Sequence, residues 1–257
     1  MTGDRISYQF DTEHLQIRIN KLGEPVDASP AIVGNEIYIR SRAHLYCIAD
    51  TKTSAPTSKP TSLKPELTAS VELSDLDNDG DLDVLVANGR HWGGPNRAYY
   101  NNGKGAFTRV ATIGTGKDRS YAARALDYNG DGLMDVAIAN DRQQSRIYLG
   151  QKNRKFAPGP AIGPASQNTR NLTITDLDGD KRPDILIANR RAANFIYDHT
   201  PKGDLDKGRI LGSGADSTID IAIGDLNGDG RPDAVLANRD GQPNTVYLNG
   251  GNKVFGK

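Results

Sequence analysis

The segment DLDNDGDLDVLVAN, residues 75–88, crowds five aspartates into nine positions and then runs directly into an apolar stretch. It returns as DYNGDGLMDVAIAN at 127–140, DLDGDKRPDILIAN at 176–189 and DLNGDGRPDAVLAN at 225–238, with first aspartates 52, 49 and 49 residues apart. Self-similarity at a period of about 20–50 residues marks a repeat architecture, because one unit cannot bury its apolar face alone and must stack on a neighbour. The fold has to be one that lays the same unit down four times.

Within a unit the pattern is β. In the second, SYAARAL precedes the acidic loop, DVAIAN follows it, SRIYLG comes after a short polar connection, and KFAPGPAI leads toward the next unit. These segments are too short for helices, in a chain with 28 Gly and 13 Pro to punctuate it. The stretch after each loop (DVLVA, DVAIA, DILIA, DAVLA) is apolar on both alternating faces, which predicts cover on both sides. Sheets stacked radially satisfy that requirement. The expected fold is all-β, a β-propeller whose blades are four antiparallel strands, with blades at 68–116, 117–165, 166–215 and 216–257.

The acidic loops carry the chemistry. Positions 1, 3, 5 and 9 hold Asp75, Asp77, Asp79 and Asp83 in the first loop, and Asp127, Asn129, Asp131 and Asp135 in the second. The third offers Asp176, Asp178, Asp180 and Asp184, the fourth Asp225, Asn227, Asp229 and Asp233. Alternating oxygen side chains, with glycine at position 6, let a tight loop wrap a hard cation, and the position-7 carbonyl (Asp81, Leu133, Arg182, Arg231) adds a ligand. Asp, Asn and Gly also favour plain polar turns. Three or four carboxylates in nine residues would repel one another without a cation between them, however, and the register repeats four times. About four calcium ions are expected, since calcium accepts this many oxygens better than magnesium. In the third loop Lys181 replaces the position-6 glycine, which predicts a strained left-handed residue or a rearranged loop.

The units ARALDYNGDGLMDVAIANDRQQSRIYLGQKNRKF and IAIGDLNGDGRPDAVLANRDGQPNTVYLNGGNKVF resemble FG-GAP/VCBS repeats, the family that includes the calcium-binding blades of integrin α-subunit propellers and many secreted bacterial proteins. The resemblance covers roughly residues 68 to 257. It implies the propeller and the calcium, but relatives serve in adhesion, as carbohydrate-binding modules and as parts of polysaccharide lyases, so it leaves the activity open. Ahead of it, SPAIVGNEIYIRSRAHLYCIAD at 29–50 resembles one blade of the PQQ-dehydrogenase-like propellers. That blade lacks the tryptophan docking motif of its family, so no quinone cofactor is expected. Residues 28–67 are read as this blade plus a connection rich in Ser, Thr and Pro, and residues 1–27, with HLQIRINKLG, as the strand that closes the last blade of a five-bladed ring. The same connection would also suit an interdomain linker.

Composition excludes several classes. Thirty-two basic residues balance 32 acidic ones, so net charge gives no reason to expect nucleic acid as a partner. No run approaches the roughly 20 apolar residues of a membrane span, and no membrane insertion is expected. The opening MTGDRISYQF lacks the apolar core of a signal peptide, so for an exported protein the signal would lie outside this chain. The single cysteine, Cys47 in HLYCIA, rules out an internal disulfide framework and reads as a buried strand residue. Calcium loops of this type suit an extracellular, periplasmic or cell-surface setting, and a monomer is expected.

Calcium loops and the segments after VAN, IAN and LAN should lie on opposite faces, because they join opposite ends of the same strands. The second set brings Arg90, Arg142, Arg190, Arg191 and Arg239, and the connections entering the first strands add Arg119, Tyr121 and Arg170. Any single arginine reads as solvated rim; the set predicts a basic face. The first unit alone extends its loop, around His91 and Trp92, the only tryptophan, which would suit stacking on a sugar. The expected function is a calcium-stabilised binding or adhesion module for an acidic polysaccharide or a protein partner. The alternative is a polysaccharide lyase in which an arginine neutralises a uronate and His91 or Tyr121 moves a proton. No nucleophile motif or catalytic carboxylate pair appears outside the metal loops.

Overall fold

The computed structural model describes residues 66–251 and 254–256 in full, and ahead of them the backbone of five strands. Of these, β1 (Ser7–Phe10) pairs with β2 (Leu15–Arg18), while β3 (Ala31–Val33), β4 (Glu36–Arg40) and β5 (Leu45–Ala49) form a three-stranded antiparallel sheet. The connection at 51–65, the side chain of Cys47 and the expected closure of the ring through residues 1–27 lie outside the described residues. The described part of that N-terminal region that was read as a closing strand, Leu15–Arg18, is hydrogen-bonded to Ser7–Phe10.

Each repeat is a four-stranded antiparallel meander. The first blade comprises β6 (Thr68–Ser74), β7 (Asp83–Asn88), β8 (Gly94–Tyr100) and β9 (Arg109–Asp118). The second comprises β10 (Ser120–Leu126), β11 (Asp135–Asn140), β12 (Ser145–Gln151) and β13 (Lys155–Ile162). The third has β14 (Thr169–Thr175), β15 (Asp184–Asn189), β16 (Asn194–Tyr197) and β17 (Arg209–Leu211). The fourth has β18 (Thr218–Gly224), β19 (Asp233–Asn238), β20 (Thr245–Asn249) and β21 (Phe255–Gly256). No helix occurs among the described residues. The chain is a β-propeller, and its first strands β6, β10, β14 and β18 lie side by side toward the centre.

The second strands explain the stacking. All six residues of β7, β11 and β15 are buried, so both faces of each are covered, as their double-sided apolar pattern requires. Leu85 and Tyr100 of the first blade pack with Ile138 and Tyr148 of the second. Ala137 and Ile147 meet Ile185 and Tyr197, and Leu186 and Ile196 meet Leu236 and Tyr247. Each fully buried large side chain contributes about 1.5–3 kcal/mol. The fourth blade carries the corresponding face in register, but there Leu226 is 55% exposed and Val246 47%.

The asparagine that ends each second strand fastens the opposite end of the blade from the acidic loop. Asn88, Asn140, Asn189 and Asn238 each accept a hydroxyl from the first strand, Thr68, Ser120, Thr169 or Thr218, at 2.7–3.0 Å. Each Nδ2 donates to a carbonyl at or just before the start of the third strand, that of Pro95, Gln144, Ala193 or Pro243. Each backbone N–H donates to a side-chain oxygen of Asn96, Ser145, Asn194 or Asn244. One side chain thus ties three strands. Replacing Asn140 by Ala leaves a buried hydroxyl and a carbonyl unpaired and should cost about 2–4 kcal/mol in a urea unfolding experiment. Asn238→Ala, in the more open fourth blade, should cost less.

Candidate metal loops and a basic basin

The four acidic loops share one hydrogen-bonded frame. The position-1 carboxylate accepts the position-6 amide in every loop: Gly80 to Asp75, Gly132 to Asp127, Lys181 to Asp176 and Gly230 to Asp225, at 2.8–3.0 Å. The position-5 carboxylate accepts the position-7 amide of Asp81, Leu133, Arg182 or Arg231. The position-9 aspartates, Asp83, Asp135, Asp184 and Asp233, are fully buried. One oxygen of each takes the position-2 amide, from Leu76, Tyr128, Leu177 or Leu226. The other takes an amide at the end of the third strand, from Asn101, Gly150, His199 or Asn249. Position 9 therefore has a structural duty that its acidity alone did not disclose. Burial pushes the Asp83 carboxyl up to about 6, against the lowering effect of its two amide donors, and raises Asp135 in the same way. Asp225, exposed, is held below the usual range chiefly by the Gly230 amide.

The donor sets suit a hard divalent cation unequally. Carboxylate oxygens of Asp75, Asp77 and Asp83 lie within 4.8 Å of one another, as do those of Asp176, Asp178 and Asp180. Asp77 Oδ1 is buried without a hydrogen bond, while Arg154 of the next blade meets its Oδ2 at 2.5 Å as a counter-charge. An all-oxygen cluster that includes one buried carboxylate oxygen without a hydrogen-bond donor fits calcium. In the second and fourth loops Asn129 and Asn227 instead donate their amides to Asp131 and Asp229. The position-7 arginines have side-chain roles as well: Arg182 reaches the carbonyl of His199 and pairs with Asp180, and Arg231 reaches that of Asn249 and pairs with Asp229.

At the other end of the strands a basin of about 510 Å³ opens over the first strands. It gathers Arg90, His91, Tyr121, Arg170, Arg190 and Arg239 from the expected set. Arg119, Arg142, Arg191 and Trp92 are not in its lining. Arg191 pairs with Asp240 at 3.0 Å, and Trp92, 62% exposed, sets its ring edge-on to His91. Sequence reasoning missed Arg124, Asn171 and Asp220, which also line the basin. They form a polar belt between neighbouring blades: Glu72 lies 3.5 Å from Arg124, Arg124 donates to Asn171, and Asn171 donates to Asp220. Their signal was position on a first strand, facing the axis.

Three of the basin's five arginines already face carboxylates: Arg124 faces Glu72, Arg170 donates to Asp141 at 2.7 Å, and Arg190 pairs with Asp240. Asp240, gripped by Arg190 and Arg191, is held far below the usual carboxylate range. Arg90 and Arg239 make no side-chain hydrogen bond or ion pair among the described residues. Tyr121 stands between His91, whose ring nitrogens lie 3.2–3.3 Å from its hydroxyl, and Arg170, whose guanidinium lies 4.4 Å from its ring centre.

The FG-GAP-like repeat profile matches three overlapping stretches, residues 75–138, 127–187 and 176–236, each running from one acidic loop through the next. The chain belongs to the FG-GAP-like repeat family. No curated protein matches it. Solved structures similar to it include BBS1N in complex with ARL6DN, at 16% identity and a TM-score of 0.47 over 75% of this chain and 56% of that one. Another is the V. cholerae biofilm matrix protein Bap1, at 16% identity and a TM-score of 0.40 over 68% of this chain. The chain spans 56% of the first and 30% of the second.

Among the four FG-GAP-like loops the third departs at position 6. Lys181 takes φ +66°, the left-handed conformation that Gly80, Gly132 and Gly230 adopt at the same place, and keeps the amide bond to Asp176. Of the two expectations for this loop, the strained residue is the one observed. Left-handed backbone costs a non-glycine residue roughly 1–2 kcal/mol, and glycine gives back about 0.5–1 kcal/mol in chain entropy. Lys181→Gly should therefore raise unfolding stability by about 0.5–1 kcal/mol in urea with chelator present.

Proposed function

We propose that this chain is a calcium-stabilised binding module whose central basin takes a polyanionic ligand outside the cytoplasm. Its loops would hold calcium through the side chains at positions 1, 3, 5 and 9 and the carbonyl at position 7. Bound calcium would neutralise carboxylates that otherwise repel. Sites of this extracellular type bind in the range of about 10⁻⁴–10⁻³ M, which suits a calcium-rich compartment. The observation that carries the ligand reading is the basin, where Arg90 and Arg239 present guanidiniums with no partner among the described residues, beside a ring of fixed polar groups. A guanidinium pairs with carboxylate or sulfate through two parallel hydrogen bonds.

The calcium reading is tested by melting. A site filled at 100 times its dissociation constant stabilises the fold by about 2.7 kcal/mol. Excess EDTA should lower the melting temperature by several degrees, and calcium should restore it. An unchanged melting curve together with no metal by elemental analysis would defeat the assignment.

The ligand reading is tested by titrating polygalacturonate at several salt concentrations. Arg90→Ala/Arg239→Ala should weaken binding about tenfold or more and flatten its salt dependence, with the melting temperature unchanged. Equal affinity of the variant and the parent would remove the basin from the ligand site. The contact between Tyr121 and His91 also favours a second reading, a polyuronate lyase in which this pair moves the proton. Steady release of unsaturated ends, lost in His91→Ala, would replace binding by catalysis.

A further inference from the structure

Each first strand carries one β-bulge at the same place. In β6 the register passes from Thr68 opposite Asn88 to Ser70 opposite Ala87, so Ala69 has no partner. The same slip leaves out Tyr121 in β10, Arg170 in β14 and Ile219 in β18. A bulge re-aims one side chain and takes it out of the ladder. All four bulged residues line the basin. The residues before them, Thr68, Ser120, Thr169 and Thr218, make the same hydroxyl bond in every blade, whereas the bulged residues are an alanine, a tyrosine, an arginine and an isoleucine. A position needed for folding would call for the same chemistry in each blade; this one does not.

Tyr121 is the bulged residue with a ligand-like setting. Its ring is held by the Arg170 guanidinium at 4.4 Å and by the His91 ring edge-on at 5.8 Å. Arg170 is fixed in turn by Asp141, which is buried, and by the carbonyl of Thr169. The tyrosine is thus oriented without being a core residue. An oriented aromatic surface in one basin with the Arg90 and Arg239 guanidiniums, which have no partner among the described residues, matches a ligand with both a sugar ring to stack and an anionic group to pair. A run of Glu or Asp side chains offers the charge without the ring.

Resting on the reading of the basin as a polyanion site, we propose that the bulged Tyr121 is its specificity-determining contact, selecting acidic polysaccharide over acidic protein, with Arg170 as the residue that positions it. The experiment compares polygalacturonate with poly-L-glutamate on the whole chain in calcium. The parent should prefer polygalacturonate. Tyr121→Ala, or Tyr121→Gln should the first variant fold poorly, should weaken polygalacturonate about tenfold, the scale of one aromatic contact, and leave polyglutamate unchanged. Tyr121→Phe should keep the preference, and Arg170→Gln should lose part of it, while Arg90→Ala/Arg239→Ala weakens both polymers alike. Equal losses for the two polymers in Tyr121→Ala, no loss in either, or a parent that prefers polyglutamate would overturn the proposal while the basin reading stands. A parent that binds neither polymer would overturn both.

Discussion

Each of the four described repeat blades is organised by a carboxylate that water does not reach. An isolated buried carboxylate is costly unless hydrogen bonds replace its hydration. Asp83, Asp135, Asp184 and Asp233 are each given two backbone amides, one from the acidic loop and one from the end of the third strand. The compensation is incomplete at Asp83, whose carboxyl is pushed up to about 6 by burial. That residual cost links the loop to whatever can lower it. A cation among Asp75, Asp77 and Asp83 would favour the ionised form, so folding of the blade and loading of the loop would draw on the same residue.

The opposite end of each described repeat blade is fastened by the asparagine that bonds to three strands, joined in the first blade by Glu66, which takes the Asn88 amide and pairs with Arg97. This division of labour leaves the first strands nearly free of backbone duties toward one another. They meet across blades through side chains such as Arg124, Asn171 and Asp220, and the Thr173 hydroxyl donates to the carbonyl of Ile221. A centre joined by side chains can be altered residue by residue without breaking a ladder.

The acidic loops and the propeller were legible in the sequence because both depend on strict position: oxygens at 1, 3, 5 and 9, then a strand apolar on both faces. The asparagine after each such strand was visible as a repeated letter, but its role needed partners some twenty residues upstream. The bulges were not legible. A slip of one residue, as at Tyr121, leaves no mark in a strand pattern as irregular as SYAARAL. The loop arginines show a further limit. Arg90, Arg142 and Arg191 share a left-handed backbone at equivalent positions, yet only Arg90 lines the basin. Arg191 is drawn off by Asp240, which occupies the equivalent position in the next blade and so reverses the charge there.

That reversal bears on what the basic face is. Counting arginines overstates its field, since Glu72, Asp141 and Asp240 each neutralise one guanidinium at the basin wall. Exposed ion pairs contribute little to stability, so holding the blades together is a weak explanation for Asp240, which grips two arginines at once. Geometry is the stronger one. A paired guanidinium is oriented, and an oriented wall fixes the shape of the basin while Arg90 and Arg239 have no counter-charge among the described residues. On the proposed reading, attraction and selection would fall to different residues, Arg90 and Arg239 acting at a distance and the fixed wall acting only on contact.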